Sequence, residues 1–331
     1  SNQDFKIINI SVVEKPTGEM SLGAGTGTSG GTIGFSVNEN NFLGKGINFN
    51  LSTSVTEETL KGQFYVKNPN FQNSDKSIYF GIDSIEVDRS SEFGYKSNKS
   101  GFTLGTDFKY LDDLNLGIGL SNFYEKITTD KSASTLQKTQ EGNYWDSFLK
   151  LNFNYDKRNQ TFQASDGFKS YYSIDLPLVS DTSTLVNYYK YDIYNELFEN
   201  NVSKASFLIK TANSISGENI KLSERLFIPS RNLRGFERGK IGPKDGEDFI
   251  GGNFMSAINF QSTLPNALVN LQKVDLVLFL DAANIWGVDY SSAIDDAGAF
   301  RSSVGVGIDW STPLGPLNFT FAQPITKENS D

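Results

Sequence analysis

The sequence predicts an all-β protein: a transmembrane antiparallel β-barrel of about sixteen strands, of which about fifteen are present in this chain. Three observations lead to this fold class. Apolar and polar residues alternate with period two along most of the chain, the residues between the apolar ones are small or polar, and short connectors alternate with long ones. We find no convincing stretch with the 3.6-residue period of an amphipathic helix.

The alternation defines the strands one by one. Between residues 114 and 120, leucine and isoleucine at even positions are separated by asparagine and glycine at odd positions. Such spacing places apolar and small polar side chains on opposite faces of a strand. Most segments have about the 9–11 residues with which a tilted strand crosses a bilayer. The predicted strands cover residues 20–27, 31–37, 45–56, 59–66, 77–87, 100–110, 113–123, 145–155, 168–176, 186–198, 203–216, 253–264, 273–286, 300–311 and 316–323.

The composition of the two faces favours a membrane barrel. Mean hydropathy is only −0.36, but a barrel that faces lipid on one side and water on the other has a low average. No stretch approaches the ~18 apolar residues of a membrane-spanning helix. Aromatic residues near predicted strand ends are typical of interfacial belts: Tyr110, Phe123, Trp145, Phe198, Trp286 and Trp310. A soluble all-β protein remains the alternative from the pattern alone.

Connector lengths predict the orientation of the barrel. The long connectors follow odd-numbered strands and are residues 88–99, 124–144, 217–252 and 287–299. The connectors that follow even-numbered strands are mostly short, as at 111–112, 199–202, 265–272 and 312–315. Outer-membrane barrels have long outer loops and short periplasmic turns, so we expect the first set outside the cell. Because bacterial single-chain barrels have an even number of strands, a sixteenth strand is expected after the polar run 326–331.

Composition excludes several classes of function. The 331 residues contain 30 Lys and Arg, 39 Asp and Glu, no His and no Cys, which gives a net charge of −9. A disulfide, a thiolate nucleophile, a Cys or His metal site and a Ser-His-Asp triad are therefore impossible. We predict no catalytic residue, metal or cofactor, and hence no enzyme. The acidic balance also argues against nucleic acid as a partner.

The connector 217–252 carries the features of a functional loop. It is about 36 residues long, and structureless loops of that length in compact domains are usually functional or disordered. This one combines apolar side chains, such as Leu233 and Phe236, with Arg225, Arg231, Arg234 and Arg238. We expect it to fold onto a surface, and the interior of a barrel with about sixteen strands is wide enough to receive it.

Several motifs resemble those of one family in the same order along nearly the whole chain. Leu233-Arg234-Gly235-Phe236 looks like the V-R-G-F motif in the sixth outer loop of BamA-type outer-membrane assembly barrels. Ala283 stands where the family usually has glycine, and Gln261 stands where it often has glutamate. Further similar stretches are 40–46, 68–71, 222–227, 251–253, 280–286 and 305–317.

The resemblance implies a 16-stranded barrel that is preceded by periplasmic POTRA domains and inserts other outer-membrane proteins into the bacterial outer membrane. Residues 1–19 would be the tail of the last POTRA domain and the entry to strand 1, and residues 20–331 the barrel. The implied partners are unfolded outer-membrane protein clients, outer-membrane lipids and, through the POTRA domains, assembly-complex lipoproteins. The alternatives are a TamA-like assembly factor or two-partner secretion pore of the same superfamily, and a passive porin.

Two groups of residues are the candidate sites. The first is a loop-anchoring motif of Arg234, Gly235 and Phe236 with Asp281, and Gln261 is a possible second partner. Alternation puts Asp281 on the face opposite Leu280, and we assign that face to the lumen because a carboxylate avoids lipid. The second group is the gate strand with Gly23, Gly25 and Gly27. Glycine weakens strand pairing, so strand 1 should open first, and without its last-strand partner it should be frayed, shifted or paired with another chain.

Overall fold

The structure, a computed structural model, describes residues 11–13, 15–27, 30–161, 164–199, 201–246, 248–265, 274–289, 299–312 and 315–327. Its strands are β1 (Gly18–Gly27), β2 (Gly30–Phe42), β3 (Ile47–Thr56), β4 (Thr59–Asn68), β5 (Lys76–Arg89), β6 (Tyr95–Leu111), β7 (Leu114–Thr129), β8 (Gly142–Asp156), β9 (Gly167–Ser180), β10 (Thr184–Asn195), β11 (Val202–Ser214), β12 (Lys244–Asp245), β13 (Asp248–Phe249), β14 (Phe254–Leu264), β15 (Val274–Trp286), β16 (Arg301–Thr312) and β17 (Gly315–Thr326).

The short elements all lie in connectors. Two four-residue helices, α1 (Ser90–Phe93) and α2 (Thr135–Lys138), follow β5 and β7. Three 3₁₀ turns cover Phe71–Asn73, Leu222–Glu224 and Ser230–Asn232. None of the helical segments in the described residues has the length and hydropathy to span a bilayer.

One antiparallel sheet of 15 strands contains every strand except the β12–β13 pair, and its order follows the chain from β1 to β17. Each strand therefore pairs with its sequence neighbours, as in an up-and-down barrel. All fifteen predicted strands are present, and the prediction of an all-β antiparallel fold is confirmed.

The two faces of the sheet differ as the alternation predicts. On β15, Leu278 and Leu280 are 42% and 47% exposed, whereas Phe279 is 3% and Asp281 0% exposed. The exposed apolar face is the outer, lipid-facing side. The inner face lies against residues 215–253, called here the lumen loop. Within it, Leu226 and Gly252 are joined by two backbone hydrogen bonds of 2.8 and 3.0 Å.

The sheet curves around the lumen loop. Lys221 at one end of the loop binds Asp146 of β8, while Gly235 packs beside Ala322 of β17. Glycine on the inner face also makes room for large side chains. A Cβ on Gly105 would lie 2.4 Å from the Tyr79 hydroxyl, and one on Gly119 would lie 2.7 Å from it.

Several predicted boundaries were wrong. Strands β6 and β7 extend well beyond residues 100–110 and 113–123, so the connectors after β5 and β7 shrink from 88–99 and 124–144 to 90–94 and 130–141. Alternation is weaker there because polar side chains occupy both faces above the membrane. Connectors 57–58 and 181–183 lie at the same end as the long loops and are very short, so length alone does not mark that end.

Other expectations met mixed outcomes. Phe123 belongs to the inner face, where the ammonium groups of Lys99 and Lys150 lie 4.9 and 5.7 Å from its ring, and not to an interfacial belt. Strand β1 pairs with β2 along its whole length, from Gly18 to Gly27, so it is not frayed from this neighbour; that it is shifted or pairs with another chain stays a prediction. Residues 18–19 belong to β1, whereas residues 1–10 of the predicted POTRA tail lie outside the described residues, as does most of connectors 265–272 and 287–299.

Candidate functional site

The lumen loop carries its own apolar core against the inner wall. Ile220, Leu226, Ile228, Leu233 and Phe236 are buried at 0–6% exposure in one cluster. They pack against buried side chains of three strands: Leu208 and Ala212 of β11, Met255 and Ala257 of β14, and Ala283 and Ile285 of β15. Burial of this much apolar surface holds a loop that has almost no regular hydrogen bonding.

Arg234 and Asp281 meet inside the barrel. The Nε of Arg234 donates to Oδ2 of Asp281 at 2.7 Å, and its Nη2 donates to Oδ1 at 2.8 Å. The backbone N–H of Arg234 also donates to Oδ2, at 3.1 Å. Asp281 is fully buried while Arg234 is 21% exposed. A bidentate fork of this kind combines charge with fixed geometry and is among the stronger polar contacts in proteins.

Three neighbours complete the arrangement around the ion pair. Gln261 accepts a hydrogen bond from Nη1 of Arg234 at 3.5 Å, the limit of such a contact. The guanidinium lies 3.5 Å from the centre of the Phe279 ring, and Asn259 donates to Asp281 at 2.8 Å. The sequence did not identify Phe279 and Asn259 as parts of this site, although the alternation on β15 already placed Phe279 on the face of Asp281.

Gly235 and Phe236 shape the loop beside this pair. Gly235 has φ +88°, in the region that side chains with a Cβ disfavour. Phe236 is 6% exposed and belongs to the loop's apolar core. The three motif residues therefore have complementary roles. Arg234 binds Asp281 of β15, Gly235 permits the turn beside β17, and Phe236 packs in the apolar core between the loop and the inner wall.

The first part of the lumen loop makes a second charged contact, with different strands of the inner wall, which the sequence did not predict. The Nζ of Lys221 binds Asp146 of β8 and lies 3.2 Å from Oε2 of Glu125 on β7 and 3.4 Å from Oε1 of Glu224. All four groups are at most 8% exposed. Lys221 is a lone lysine in a polar stretch, so nothing in the sequence distinguishes it from a solvated side chain.

Other contacts hold the same part of the loop. Arg225 binds Asp289 and donates to Asn253 at 3.2 Å. Phe227 packs edge to face on Phe93 of α1 at 5.4 Å. A cavity of about 600 Å³ remains between the loop and the wall from β5 to β11. Within the described ranges, no group of three or more carboxylates, His or Cys is arranged to hold a metal ion.

The glycine residues of the predicted gate strand lie on β1. Gly23 pairs with Gly34 and Gly25 with Thr32, while Gly27 pairs with Gly30 at the hairpin. A Cβ on Gly23 or Gly25 would meet nothing within 4 Å. The outward face of the strand carries Met20 and Leu22. The two groups of candidate residues are thus separate, and the structure does not bring the gate glycines to Arg234.

Known proteins resemble the chain over most of its length. The Omp85 superfamily domain matches residues 41–331. The outer membrane protein assembly factor BamA of Neorickettsia risticii is 25% identical over 98% of this chain, which spans 45% of that relative's length. The crystal structure of BamA from Haemophilus ducreyi lacking POTRA domains 1–3 superposes with a TM-score of 0.83 and 22% identity, over 96% of this chain and 68% of that one.

A second solved structure is more distant. CdiB from Acinetobacter baumannii superposes with a TM-score of 0.62 and 12% identity, over 96% of this chain and 58% of that chain. At such identities, likeness to solved structures establishes the barrel fold alone. The domain match, however, covers most of the chain, and the chain therefore belongs to the Omp85 superfamily.

Proposed function

We propose that this chain is the membrane barrel of an outer-membrane protein assembly factor, which folds and inserts unfolded β-barrel clients into the bacterial outer membrane. The observation that carries the proposal is the match of 98% of the chain to a protein named as such a factor. The chain spans less than half of that relative. POTRA domains, the lipoproteins that would bind them, and the range of clients are therefore part of the proposal.

The path of insertion would be the seam between the first and the last strand of the barrel. Strands β1 and β17 stand at the two ends of the strand order. At Gly23 and Gly25 the inner face of β1 has no side chain that could form a cross-strand pair. A client strand could add to the edge of β1 through backbone hydrogen bonds, as in β-augmentation. A short hydrophobic span beside the seam would also thin the bilayer there.

The lumen loop would support the strands next to this seam from inside the barrel. Arg234 joins the loop to β15, and Gly235 approaches β17, the strand at one end of the sheet. Displacement of the loop would therefore alter the support of the last strands first. In this proposal Arg234, Gly235, Phe236 and Asp281 position the loop, Gln261 supports Arg234, and none of them reacts chemically with a client.

The test is an insertion assay with the full-length protein that contains this chain. Vesicles that carry it are mixed with an unfolded eight-stranded barrel, and folded client is counted by its resistance to protease and altered mobility on unheated gels. We expect much faster folding than in protein-free vesicles or vesicles that carry a porin. Equal rates in all three, with an open ion-conducting pore, would contradict the proposal and favour a porin. Export of a soluble substrate without insertion would favour a secretion pore.

A further inference from the structure

The lumen loop is held at two points on different parts of the wall. Arg234 binds β15, whereas Lys221 binds β7 and β8. These strands lie on either side of β11, from which the loop emerges. The loop thus crosses the lumen and is attached to the wall at both sides, through two different sets of charged groups. Arg234 pairs with one carboxylate, whereas Lys221 is in contact with three.

The Lys221 end contains more carboxylates than cations. Glu125, Asp146 and Glu224 surround Lys221, and Lys99 of β6 is the second cation that faces Glu125 and Glu224. Three negative charges thus meet two positive charges, in a place where Lys221, Glu125 and Asp146 are at most 1% exposed. An uncompensated charge in such a place is costly, and one bound proton would remove it.

Glu224 is the carboxylate best suited to take that proton. Its nearest oxygen is 3.4 Å from the Lys221 ammonium, farther than those of Glu125 and Asp146. Its other oxygen contacts the Thr184 hydroxyl at 2.6 Å. Burial raises the pKa of the Glu224 carboxyl, and the nearby Asp146 raises it further, although Lys221, Lys99 and Thr184 lower it.

Lys221 itself stays charged. Burial alone would lower the pKa of its ammonium group, but Glu224, Glu125 and Asp146 together outweigh burial and raise it. The Tyr144 ring, 5.0 Å from Nζ, adds a further cation–π contact. Of the two groups, the carboxyl of Glu224 is therefore the one whose protonated form is favoured on docking, while the amine keeps its charge.

We propose that Lys221 is a second, independent anchor of the lumen loop and that this end docks most tightly when Glu224 is protonated. An acid whose pKa is raised on docking binds more protons docked than free. Docking is therefore favoured below the raised pKa, and this contribution is lost as pH rises through that value. The consequence for assembly, that the two ends of the loop can be released separately, rests on the proposed function; the docking itself does not.

The test measures hydrogen exchange in the full-length protein without a client, reported as protection factors so that the intrinsic pH dependence of exchange cancels. Lys221→Met leaves the buried carboxylates with one cation fewer. Residues 219–227 should lose protection severalfold, while residues 232–238 keep theirs. Lys221→Arg, which retains the charge, should restore most of the protection.

Glu224→Gln tests the proton. Wild-type protection of residues 219–227 should fall between pH 5 and pH 8, and Glu224→Gln should keep high protection at both values. Unchanged exchange in Lys221→Met, or an equal loss in both segments, would overturn the second anchor. A pH dependence that persists in Glu224→Gln would overturn the role of the proton.

The proposal can still be tested if Lys221→Met does not fold or if the protein inserts no client. If Lys221→Met fails to fold, Glu224→Gln alone decides: low protection in this variant at pH 8 would overturn the proposal, and high protection would support it. Client insertion is measured in parallel on the same samples. A wild-type protein whose loop behaves as described but that inserts no client would contradict the proposed function and leave the second anchor standing.

Discussion

Gly235 of the lumen loop and Ala322 of β17 are in van der Waals contact so tight that a Cβ on Gly235 would lie 3.0 Å from the Cβ of Ala322. Gly235 also has φ +88°, which L side chains rarely adopt. The position therefore excludes a side chain for two reasons, backbone conformation and lack of space. Through this contact the loop touches the strand that ends the sheet.

Gly235→Ala should loosen the lumen loop. The backbone conformation alone costs about 1–2 kcal/mol for a residue with a Cβ, and displacement of Ala322 adds to it. We expect faster hydrogen exchange in residues 232–238 and a lower urea midpoint for unfolding in detergent.

Gly246→Ala is the matched control, since Gly246 lies in the same loop with φ +66° and open space around its Cα. It carries the conformational cost alone. If the two variants lose equal stability, contact with β17 contributes nothing and the loop does not support that strand.

Arg234→Ala should cost more than any other single change in the motif. It leaves Asp281, which is fully buried, with Asn259 and one backbone N–H as donors. Loss of one partner of a buried pair costs about 3–5 kcal/mol, and less here because water reaches Arg234. Arg234→Lys should recover only part of this, because an ammonium group cannot form the two-pronged contact. Urea unfolding measures both.

Arg231→Ala is the control for Arg234, because Arg231 is an exposed arginine of the same loop. We expect a change within about 0.5 kcal/mol, as for most surface substitutions. Equal destabilisation by the two variants would show that loss of positive charge in the lumen, and not the Arg234–Asp281 contact, determines the stability of the loop.

Period-two alternation predicted the sheet because the lumen and the lipid impose opposite chemistry on successive residues. It also placed Asp281 on the inner face together with Phe279, as the structure has it. The ends of β6 and β7 were missed because both faces carry polar residues there. Asn98 and Lys126 point outward and are exposed, whereas Ser97 and Glu125 point inward and are polar although buried, so the alternation of apolar and polar residues disappears.

The candidate site was predicted in part for the same reason. Arg234 could be identified because its motif consists of consecutive residues. Its partner Asp281 could be identified because a carboxylate within a membrane strand must face the lumen and not the lipid. Lys221 and its partners were missed because they come from three distant segments, and each looks like an ordinary surface charge. Only the folded chain shows that the four groups share one dry site.

Single cysteines should report the orientation of the barrel, against a background without cysteine. Two variants are compared, Lys131→Cys and Asp112→Cys. Residue 131 lies in the connector between β7 and β8, and residue 112 lies in the turn between β6 and β7, at the opposite end of the strands. Both positions are exposed. On intact cells an impermeant maleimide should label residue 131 but not 112 until the outer membrane is permeabilised. The reverse pattern would invert the topology.

The first strand should be the weakest part of the sheet. Strand β1 pairs with β2 on one side and stands at the end of the order, whereas β8 has β7 and β9 on its two sides. Residues 20–27 should therefore exchange their amide protons faster than residues 148–155 of β8. Equal protection would argue against a gate at this seam.

Side chains added at Gly23 and Gly25 should close the gate. Both glycines lie on the inner face, opposite the one that carries Met20 and Leu22, and a Cβ at either would meet nothing within 4 Å. Threonine fits there because it is β-branched and tolerates water. At residue 25 it would face Thr32 of β2, and each new cross-strand pair adds about 0.2–1 kcal/mol. The double variant Gly23→Thr, Gly25→Thr should therefore protect residues 20–27 and slow client insertion severalfold. Gly44→Ala, in the exposed turn between β2 and β3, controls for loss of glycine elsewhere and should leave insertion unchanged. A double variant with protected β1 and undiminished insertion would mean that clients enter the membrane without the opening of this strand.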